Sequence, residues 1–183
     1  MTLVLLVLVL AATTALGAAP TVTSQTSATI KSLNSLSGSK FDAVFFQALI
    51  PVHEEAVEIA MAATLTANHT ELLKWNQRVV ERKNAQVRQM VKWLQAMGSR
   101  PTKRNVGVQT ASVKKMRTVK DAALEKAYIP LMASHLEQSA AIAAVGAKKA
   151  SKAEYRSFAA AIVKVERQES SMLRGWLRKW YGF

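Results

Sequence analysis

The feature that most constrains the fold is a pair of similar segments in the two halves of the chain. Residues 42–51 read DAVFFQALIP and residues 121–130 read DAALEKAYIP, so an aspartate, two alanines and Ile-Pro recur without a gap. A second pair follows, with MVKWL at 90–94 and MLRGWL at 172–177, where one residue is inserted. Such repetition indicates that one structural unit is duplicated and that each copy buries its apolar face against the other.

The repeated unit is predicted to be a hairpin of two helices. Apolar residues recur every three or four positions, which is typical of one face of an α-helix. The periodic runs cover four stretches, at 40–66, 71–97, 118–149 and 152–181. The first two runs are separated only by a short polar break, so the helices in the hairpin must be antiparallel. We therefore predict an all-α protein in which two tandem hairpins form a four-helix bundle.

The rest of the chain is predicted to lie outside the bundle. Residues 1–19 contain an apolar run followed by small residues, a pattern typical of a secretory signal peptide and also compatible with an N-terminal anchor. Residues 20–39 are rich in serine and threonine and are expected to form a flexible spacer. Residues 98–117 are predicted to form a basic linker between hairpin one (40–97) and hairpin two (118–183). The expected location is secreted or extracytoplasmic, either periplasmic or at the cell surface.

Charge is distributed unevenly along the chain. Residues 1–97 carry a net charge of +2 and residues 98–183 carry +11, which together give +13. Such basicity attracts anionic surfaces such as lipid headgroups, cell-wall polymers or sulfated glycans, although it can also serve only as a solvated face. We expect no specific recognition of nucleic acid. The residues predicted to contact an anionic surface are Lys103, Arg104, Lys114, Lys115 and Arg117 in the linker, and Arg178 and Lys179 near the C-terminus.

Several classes of chemistry lack their motifs in this sequence. The chain has no cysteine, which excludes disulfides, thiolate metal sites and cysteine nucleophiles. Its three histidines are not accompanied by a Ser-His-Asp order, a glycine-rich phosphate loop or an HExxH motif. The ExxH pairs that a di-iron centre in a helical bundle requires are also absent. The protein is therefore predicted not to be an enzyme.

The first hairpin resembles a known family. The pattern FDxxFxxxxIPxHExAxxxA at 41–60, followed about thirty residues later by MxxWL, is similar to the ferritin-like domain-of-unknown-function family 305. The likeness extends over residues 40–183 and is closer in the first hairpin than in the second. Members of this family often contain two such hairpins and are typically secreted bacterial proteins. Some are implicated in copper binding through histidines and methionines, so the resemblance implies a ferritin-like bundle with an association with copper.

This chain keeps only part of the residues that the resemblance implies for copper binding. Family members usually read MxPHH around the proline, whereas this chain has Leu49, Val52 and His53 at those places. In the second hairpin, the gapless alignment places Met132 opposite His53, and His135 lies one helical turn further along. Imidazole and thioether groups that converge from two helices suit the cuprous ion. The candidate metal ligands are therefore His53, Met132 and His135, with copper as the only expected ion and no other cofactor.

Two alternatives stay open at this stage. Because His53 follows Pro51, its ring could bond a carbonyl group that the proline leaves without a partner, and methionine is a common filler of helical cores. Copper binding would then be weak or lost, and the protein would be a basic adhesion or interaction module for anionic surfaces. The same sequence patterns fit a monomer or a dimer that exchanges hairpins between two chains.

Overall fold

A computed structural model describes residues 23–64, 67–102 and 110–183, and within these ranges the chain forms six α-helices and no strand. The helices are α1 (Ser24–Asn34), α2 (Gly38–Thr64), α3 (Thr70–Ala96), α4 (Ala111–Thr118), α5 (Asp121–Lys149) and α6 (Ala153–Tyr181). The four longest helices pair as two antiparallel hairpins, α2 with α3 and α5 with α6. The predicted all-α bundle of two tandem hairpins is therefore confirmed.

Helix α1 lies where the sequence analysis expects a flexible spacer, so the structure differs from that expectation. The Thr23 hydroxyl caps the helix by accepting a hydrogen bond from the backbone N–H of Thr26 at 3.3 Å. Leu33 is fully buried against the bundle, and Lys149 Nζ donates to the carbonyl oxygen of Asn34 at 2.6 Å. A segment rich in serine and threonine is therefore helical here, because Thr23 caps its first turn and Leu33 attaches it to the bundle.

Helix α4 occupies the second part of the predicted linker. Val113 and Met116 are buried in the core, although the segment lacks an apolar pattern long enough to predict a helix. The predicted signal segment at 1–19 and the basic pair Lys103 and Arg104 lie outside the described residues. In the part of the chain that is described, no helix has the length and apolar character needed to cross a bilayer.

The core consists of two apolar clusters, one toward each end of the bundle. The α1-side cluster joins Leu33 of α1 to the phenylalanines at the start of α2 and to Tyr155 of α6. The α4-side cluster joins Met116 of α4 to Trp75 of α3 and to Tyr128 of α5. Helix α2 therefore begins at the α1-side cluster, and α5 begins at the α4-side cluster, so the two hairpins run in opposite directions.

Equivalent buried positions relate the hairpins by an approximate twofold axis. In α2 and α5, buried residues correspond at an offset of 79, as for Phe45 and Leu124. In α3 and α6, they correspond at an offset of 83, as for Val79 and Ile162. Each of these two pairs has one member in each apolar cluster, as expected when the axis lies between the two clusters.

A buried carboxylate of each hairpin fastens the turn of the other hairpin. Asp42, near the start of α2, accepts hydrogen bonds from the backbone N–H of Ser151, at 2.9 Å, and from its hydroxyl. Glu125, near the start of α5, accepts from the backbone N–H groups of Asn68 and His69 at 2.6 and 2.8 Å. Both carboxylates are almost fully buried, so the turn N–H groups supply the hydrogen-bond donors that their oxygens need. We call these contacts the carboxylate clamps.

Pro51 lies inside α2, and the segment after α3 compensates for it. A proline has no N–H, so it leaves the carbonyl oxygen of Gln47, four residues earlier, without its helical partner. The hydroxyl of Thr102 donates to this oxygen at 3.2 Å, and the Gln47 side chain donates to the carbonyl of Arg100 at 2.7 Å. The alternative in which His53 serves the freed carbonyl is therefore wrong.

Candidate metal centre

A layer of buried polar side chains separates the two apolar clusters. In every long helix, a polar residue follows the last buried member of one cluster and precedes the first member of the other. These side chains are almost completely excluded from solvent. We call this group, together with the neighbouring His135 of α5, the polar layer: His53 of α2, Lys83 of α3, His135 and Ser139 of α5, and Glu166 of α6.

An ion pair occupies the middle of the polar layer. Lys83 Nζ contacts Glu166 Oε1, and the two side chains are 0% and 1% exposed. Burial lowers the pKa of Lys83, while the adjacent carboxylate of Glu166 acts in the opposite direction. Residues 83 and 166 are related by the offset of 83 that relates α3 to α6, so they occupy equivalent positions in the two hairpins. Their side chains meet across the approximate twofold axis.

His53 is completely buried beside this ion pair. Its Nε2 lies 3.9 Å from Glu166 Oε1, and neither ring nitrogen makes a regular hydrogen bond in the described part of the chain. Burial lowers the pKa of His53 well below 6.5, and the positive charge of Lys83 and the nearby His135 lower it further. A hydrogen-bonding interaction with the Gln86 side chain, outside regular hydrogen-bond geometry, raises the pKa but does not offset these effects. The imidazole is therefore neutral at neutral pH, and one ring nitrogen carries a lone pair that can bind a metal.

His135 approaches the polar layer from α5 in a fixed orientation. Its Nε2 donates to the carbonyl oxygen of Val52 at 2.9 Å. Because a carbonyl oxygen only accepts, Nε2 carries the proton, and Nδ1 holds the lone pair of the neutral ring. Burial lowers the pKa of His135, which favours this neutral form. Histidines that bind metals in proteins usually have this arrangement, with the other ring N–H donated to a carbonyl or carboxylate.

Met132 lies one helical turn before His135 and is fully buried in the α4-side cluster. This burial agrees with the alternative in which the methionine fills the core, and its role as a metal ligand stays a prediction. Side chains three residues apart lie on the same face of a helix, so Met132 and His135 share one face of α5. By the offset of 79 that relates α2 to α5, Met132 occupies the position in α5 that is equivalent to His53 in α2.

A groove of about 610 Å³ gives solvent a route to His135. Helices α1, α2 and α5 form its walls, with Pro51, Val52 and Gln138 among its lining residues. The described lining residues include no Asp, Glu, Lys or Arg. His135 retains 9% exposure, whereas His53 has none. A small ion would therefore meet His135 first.

The donors in this region fit a soft monovalent ion better than a divalent one. No group of three or more His, Asp or Glu side chains that could hold a metal ion occurs within residues 23–64, 67–102 and 110–183. Two neutral imidazoles and one thioether form a set suited to Cu(I). A divalent ion would also need the carboxylate of Glu166, which is already paired with the Lys83 ammonium group.

Comparison with known proteins identifies the family. The family model described as "Domain of unknown function (DUF305)" matches the chain twice, at residues 12–94 and 95–177. The chain belongs to this family. The resemblance found in the sequence is therefore confirmed, and the double match agrees with the tandem repeat.

Solved structures share the fold of this family 305 protein. CopM in its Cu(I)-bound form has a TM-score of 0.68 and 20% identity, over 77% of this chain and 98% of that chain. CopM in its Cu(II)-bound form has a TM-score of 0.63 and 20% identity, over 76% and 98%. A family 305 protein from Streptomyces coelicolor, described as secreted, has a TM-score of 0.68 and 19% identity, over 75% and 91%. At these identities the likeness establishes the fold alone. No curated protein sequence matches the chain significantly.

The ion pair of this family 305 protein was missed by the sequence analysis. Lys83 lies four residues after Val79 and seven before Met90, so it falls within the apolar stripe of α3. Glu166 has the equivalent place in α6. A charged residue inside the apolar stripe of each second helix was the available signal, because such a residue must be buried and needs a partner.

The residues predicted to contact an anionic surface are exposed wherever they are described. Lys114, Lys115 and Arg117 lie on α4, and Arg178 and Lys179 lie in the last turn of α6. Both elements border the α4-side cluster. Two basic segments that are distant in the sequence are thus located at the same end of the family 305 bundle.

Proposed function

We propose that this protein binds a cuprous ion at the centre of its helical bundle. The observation that carries this proposal is the orientation of His135, whose Nε2 donates to Val52 and whose Nδ1 is left with a lone pair. The proposed ligands are this Nδ1, one ring nitrogen of His53 and the thioether of Met132. All three donors are uncharged, so the occupied site would carry a single positive charge with Cu(I) and two with a divalent ion.

The comparisons support copper as the ion and an extracytoplasmic location as the setting. CopM, which shares the fold, has structures with Cu(I), Cu(II) and silver bound. The Streptomyces coelicolor relative is described as secreted. We propose that this chain likewise acts outside the cytoplasm and holds copper as a cargo, without catalysing a reaction. The groove beside His135 would be the route by which the ion arrives and leaves.

The copper proposal is tested by titrating the protein with Cu(I) against a colorimetric chelator, without oxygen and at neutral pH. We expect the wild-type protein to compete for the ion. The variants His53→Ala, His135→Ala and Met132→Leu should each weaken binding by about 10-fold or more, equivalent to about 1.4 kcal/mol, because each removes one donor.

Two matched controls accompany this titration. Met90→Leu changes a buried methionine of the α1-side cluster, so it should leave the affinity unchanged. His69→Asn changes the histidine at the α2–α3 turn, outside the polar layer, and should also have no effect. Equal Cu(I) affinity in the wild-type protein and in a His53→Ala, His135→Ala double variant would contradict the proposal.

A second proposed function is contact with an anionic surface through the α4 end of the bundle. The supporting observation is that Lys114 and Lys115 of α4 lie at the same end as Arg178 and Lys179 of α6. We expect the protein to sediment with vesicles of phosphatidylserine and phosphatidylcholine, and to be released as salt screens the charges. No binding at low salt would contradict this function.

Charge-matched variants locate the surface that binds the vesicles. A Lys114→Ala, Lys115→Ala variant should bind less than the wild-type protein. A variant with Lys31→Ala and Lys148→Ala removes the same charge from exposed positions at the α1 end and should bind more strongly than the first variant. Equal binding of the two variants would contradict a surface at the α4 end.

A further inference from the structure

We infer that Lys83 is a built-in cation that excludes divalent metal ions from the centre of the bundle. The inference concerns the site of the proposed function and rests on it for the claim that this centre receives a metal ion. Lys83 would then determine the specificity of the site without being a ligand. Its ammonium group lies at the position beside Glu166 where a divalent ion would otherwise bind.

The neighbours of Lys83 are groups that divalent metal ions prefer. Glu166 offers a carboxylate and His53 an imidazole, and the nearest atoms of these two side chains are 3.9 Å apart. Glu166 Oε2 and both ring nitrogens of His53 make no regular hydrogen bond among the described residues. Buried polar atoms of this kind normally have partners, so the centre contains unused capacity to coordinate an ion.

The charge of Lys83 prevents a divalent ion from using that capacity. The ammonium group and the Glu166 carboxylate neutralise each other inside the bundle. A second cation at the same carboxylate would lie within a few ångströms of the ammonium group, where the low dielectric of the interior makes the repulsion strong. A monovalent ion held by uncharged donors on the His135 side is repelled less, because its charge is smaller and it does not need the carboxylate.

The repeat explains why the two charges meet. Lys83 and Glu166 are equivalent residues of the two hairpins, so identical side chains at this position would contact their own copies across the twofold axis. Two carboxylates there would bind a divalent ion, and two ammonium groups would repel each other. With one lysine and one glutamate, the ammonium group neutralises the carboxylate and occupies the place of a divalent ion.

The experiment measures Zn²⁺ affinity at neutral pH with a competing fluorescent chelator, using the full chain. Zn²⁺ is redox-inert and accepts carboxylate and imidazole ligands. We expect Lys83→Met to bind Zn²⁺ about 100-fold more tightly than the wild-type protein, because it frees the carboxylate and removes the repulsion. The gain should disappear in a Lys83→Met, Glu166→Gln variant and in a Lys83→Met, His53→Ala variant. Lys92→Met, at an exposed position of α3, should leave Zn²⁺ affinity unchanged.

Lys83→Met leaves a carboxylate buried without a partner, so folding must be measured at the same time. If the variant is destabilised, Zn²⁺ should raise its melting temperature, because an ion that binds only the folded state stabilises it. The Lys83→Met, Glu166→Gln variant has no buried charge at this position and should melt at the same temperature with and without Zn²⁺. If Lys83→Met shows neither tighter Zn²⁺ binding nor a Zn²⁺-dependent melting temperature, the inference is overturned.

The two readouts separate this inference from the proposed function. Wild-type protein that binds Cu(I), combined with a Lys83→Met variant that gains no Zn²⁺ affinity, would overturn the role of Lys83 and leave the copper proposal standing. Wild-type protein that binds no Cu(I), combined with a variant that gains Zn²⁺ affinity, would support the exclusion of divalent ions and contradict the copper proposal.

Discussion

At the scale of single residues, Gly146 shows how closely α5 approaches α2. A methyl group added at Gly146 would lie within 2.7 Å of three atoms of the Phe45 ring. That ring cannot move away easily, because it is packed between Phe41 and Phe46, with ring centroids at 5.8 and 5.2 Å. Overpacking of this kind destabilises a core by about 1–3 kcal/mol, which exceeds the gain of up to about 1 kcal/mol when alanine replaces glycine in a helix.

We therefore expect Gly146→Ala to lower the free energy of unfolding by up to about 2 kcal/mol, as measured by urea denaturation. The control is Gly175→Ala in α6, where an added methyl group meets no atom within 4 Å. This control should raise stability by about 0.5–1 kcal/mol through helix propensity alone. If both variants were stabilised, the tight contact between α5 and α2 would be wrong.

The candidate ligands could be named from single residues, whereas the ion pair could not. His53 stands out because it follows the repeated Ile-Pro, and Met132 and His135 follow from the alignment of the two hairpins. The contact between Lys83 and Glu166 depends on how α3 and α6 are placed in the bundle, which no local pattern encodes. The candidate metal ligands could therefore be predicted from the sequence, whereas the ion pair beside them required the structure.

At the scale of helices and turns, the carboxylate clamps decide how the hairpins are joined. Glu125 accepts from the ring Nδ1 of His69, at 2.5 Å, and from the Tyr181 hydroxyl, at 2.6 Å, in addition to the two backbone N–H groups of the α2–α3 turn. Burial alone would raise the pKa of Glu125, but the hydrogen bonds from Tyr181 and His69 outweigh it, so the pKa is lowered. Burial and this carboxylate raise the pKa of Tyr181 to about 12.

The lowered pKa of Glu125 predicts the direction of a pH effect. A carboxylate whose pKa is lower in the folded state stabilises the fold above its unfolded pKa, and the contribution is lost as pH falls through the folded pKa. We expect Glu125→Gln to lower the free energy of unfolding by about 1–3 kcal/mol at neutral pH. The difference from the wild-type protein should shrink below about pH 4, where the wild-type carboxyl group becomes protonated.

Urea denaturation at neutral and acidic pH measures this difference. Glu81→Gln, at an exposed position of α3, is the matched control and should change stability by no more than about 0.5 kcal/mol at either pH. A Glu125→Gln variant as stable as the control at neutral pH would show that the clamp contributes nothing.

The elements that the sequence analysis missed are those held by few apolar residues. Helix α1 buries one large apolar side chain, Leu33, and α4 buries Val113 and Met116. A helix anchored by so few contacts has no long apolar stripe, so periodicity cannot distinguish it from a polar connection. The four long helices were predictable because each carries a continuous stripe along its length.

At the scale of the whole molecule, duplication determines both the fold and the site. The repeat predicted the bundle, and the opposite directions of the hairpins place equivalent residues against each other near the middle. His53 and Met132 are equivalent in the first helices, and Lys83 and Glu166 are equivalent in the second. The middle of the bundle thus contains two pairs of equivalent but different residues. One pair provides candidate metal ligands, and the other pair provides opposite charges. A monomer, or a dimer that exchanges hairpins between two chains, stays a prediction for the protein in solution.

The most direct test of a copper site in the polar layer is to locate the ion in crystals grown with Cu(I), by anomalous scattering at the copper absorption edge. We expect one strong peak in the polar layer, bonded to Nδ1 of His135 and flanked by His53 and Met132. A peak found only at the surface, for example beside His69, or no peak at stoichiometric Cu(I), would show that the bundle centre is not a copper site.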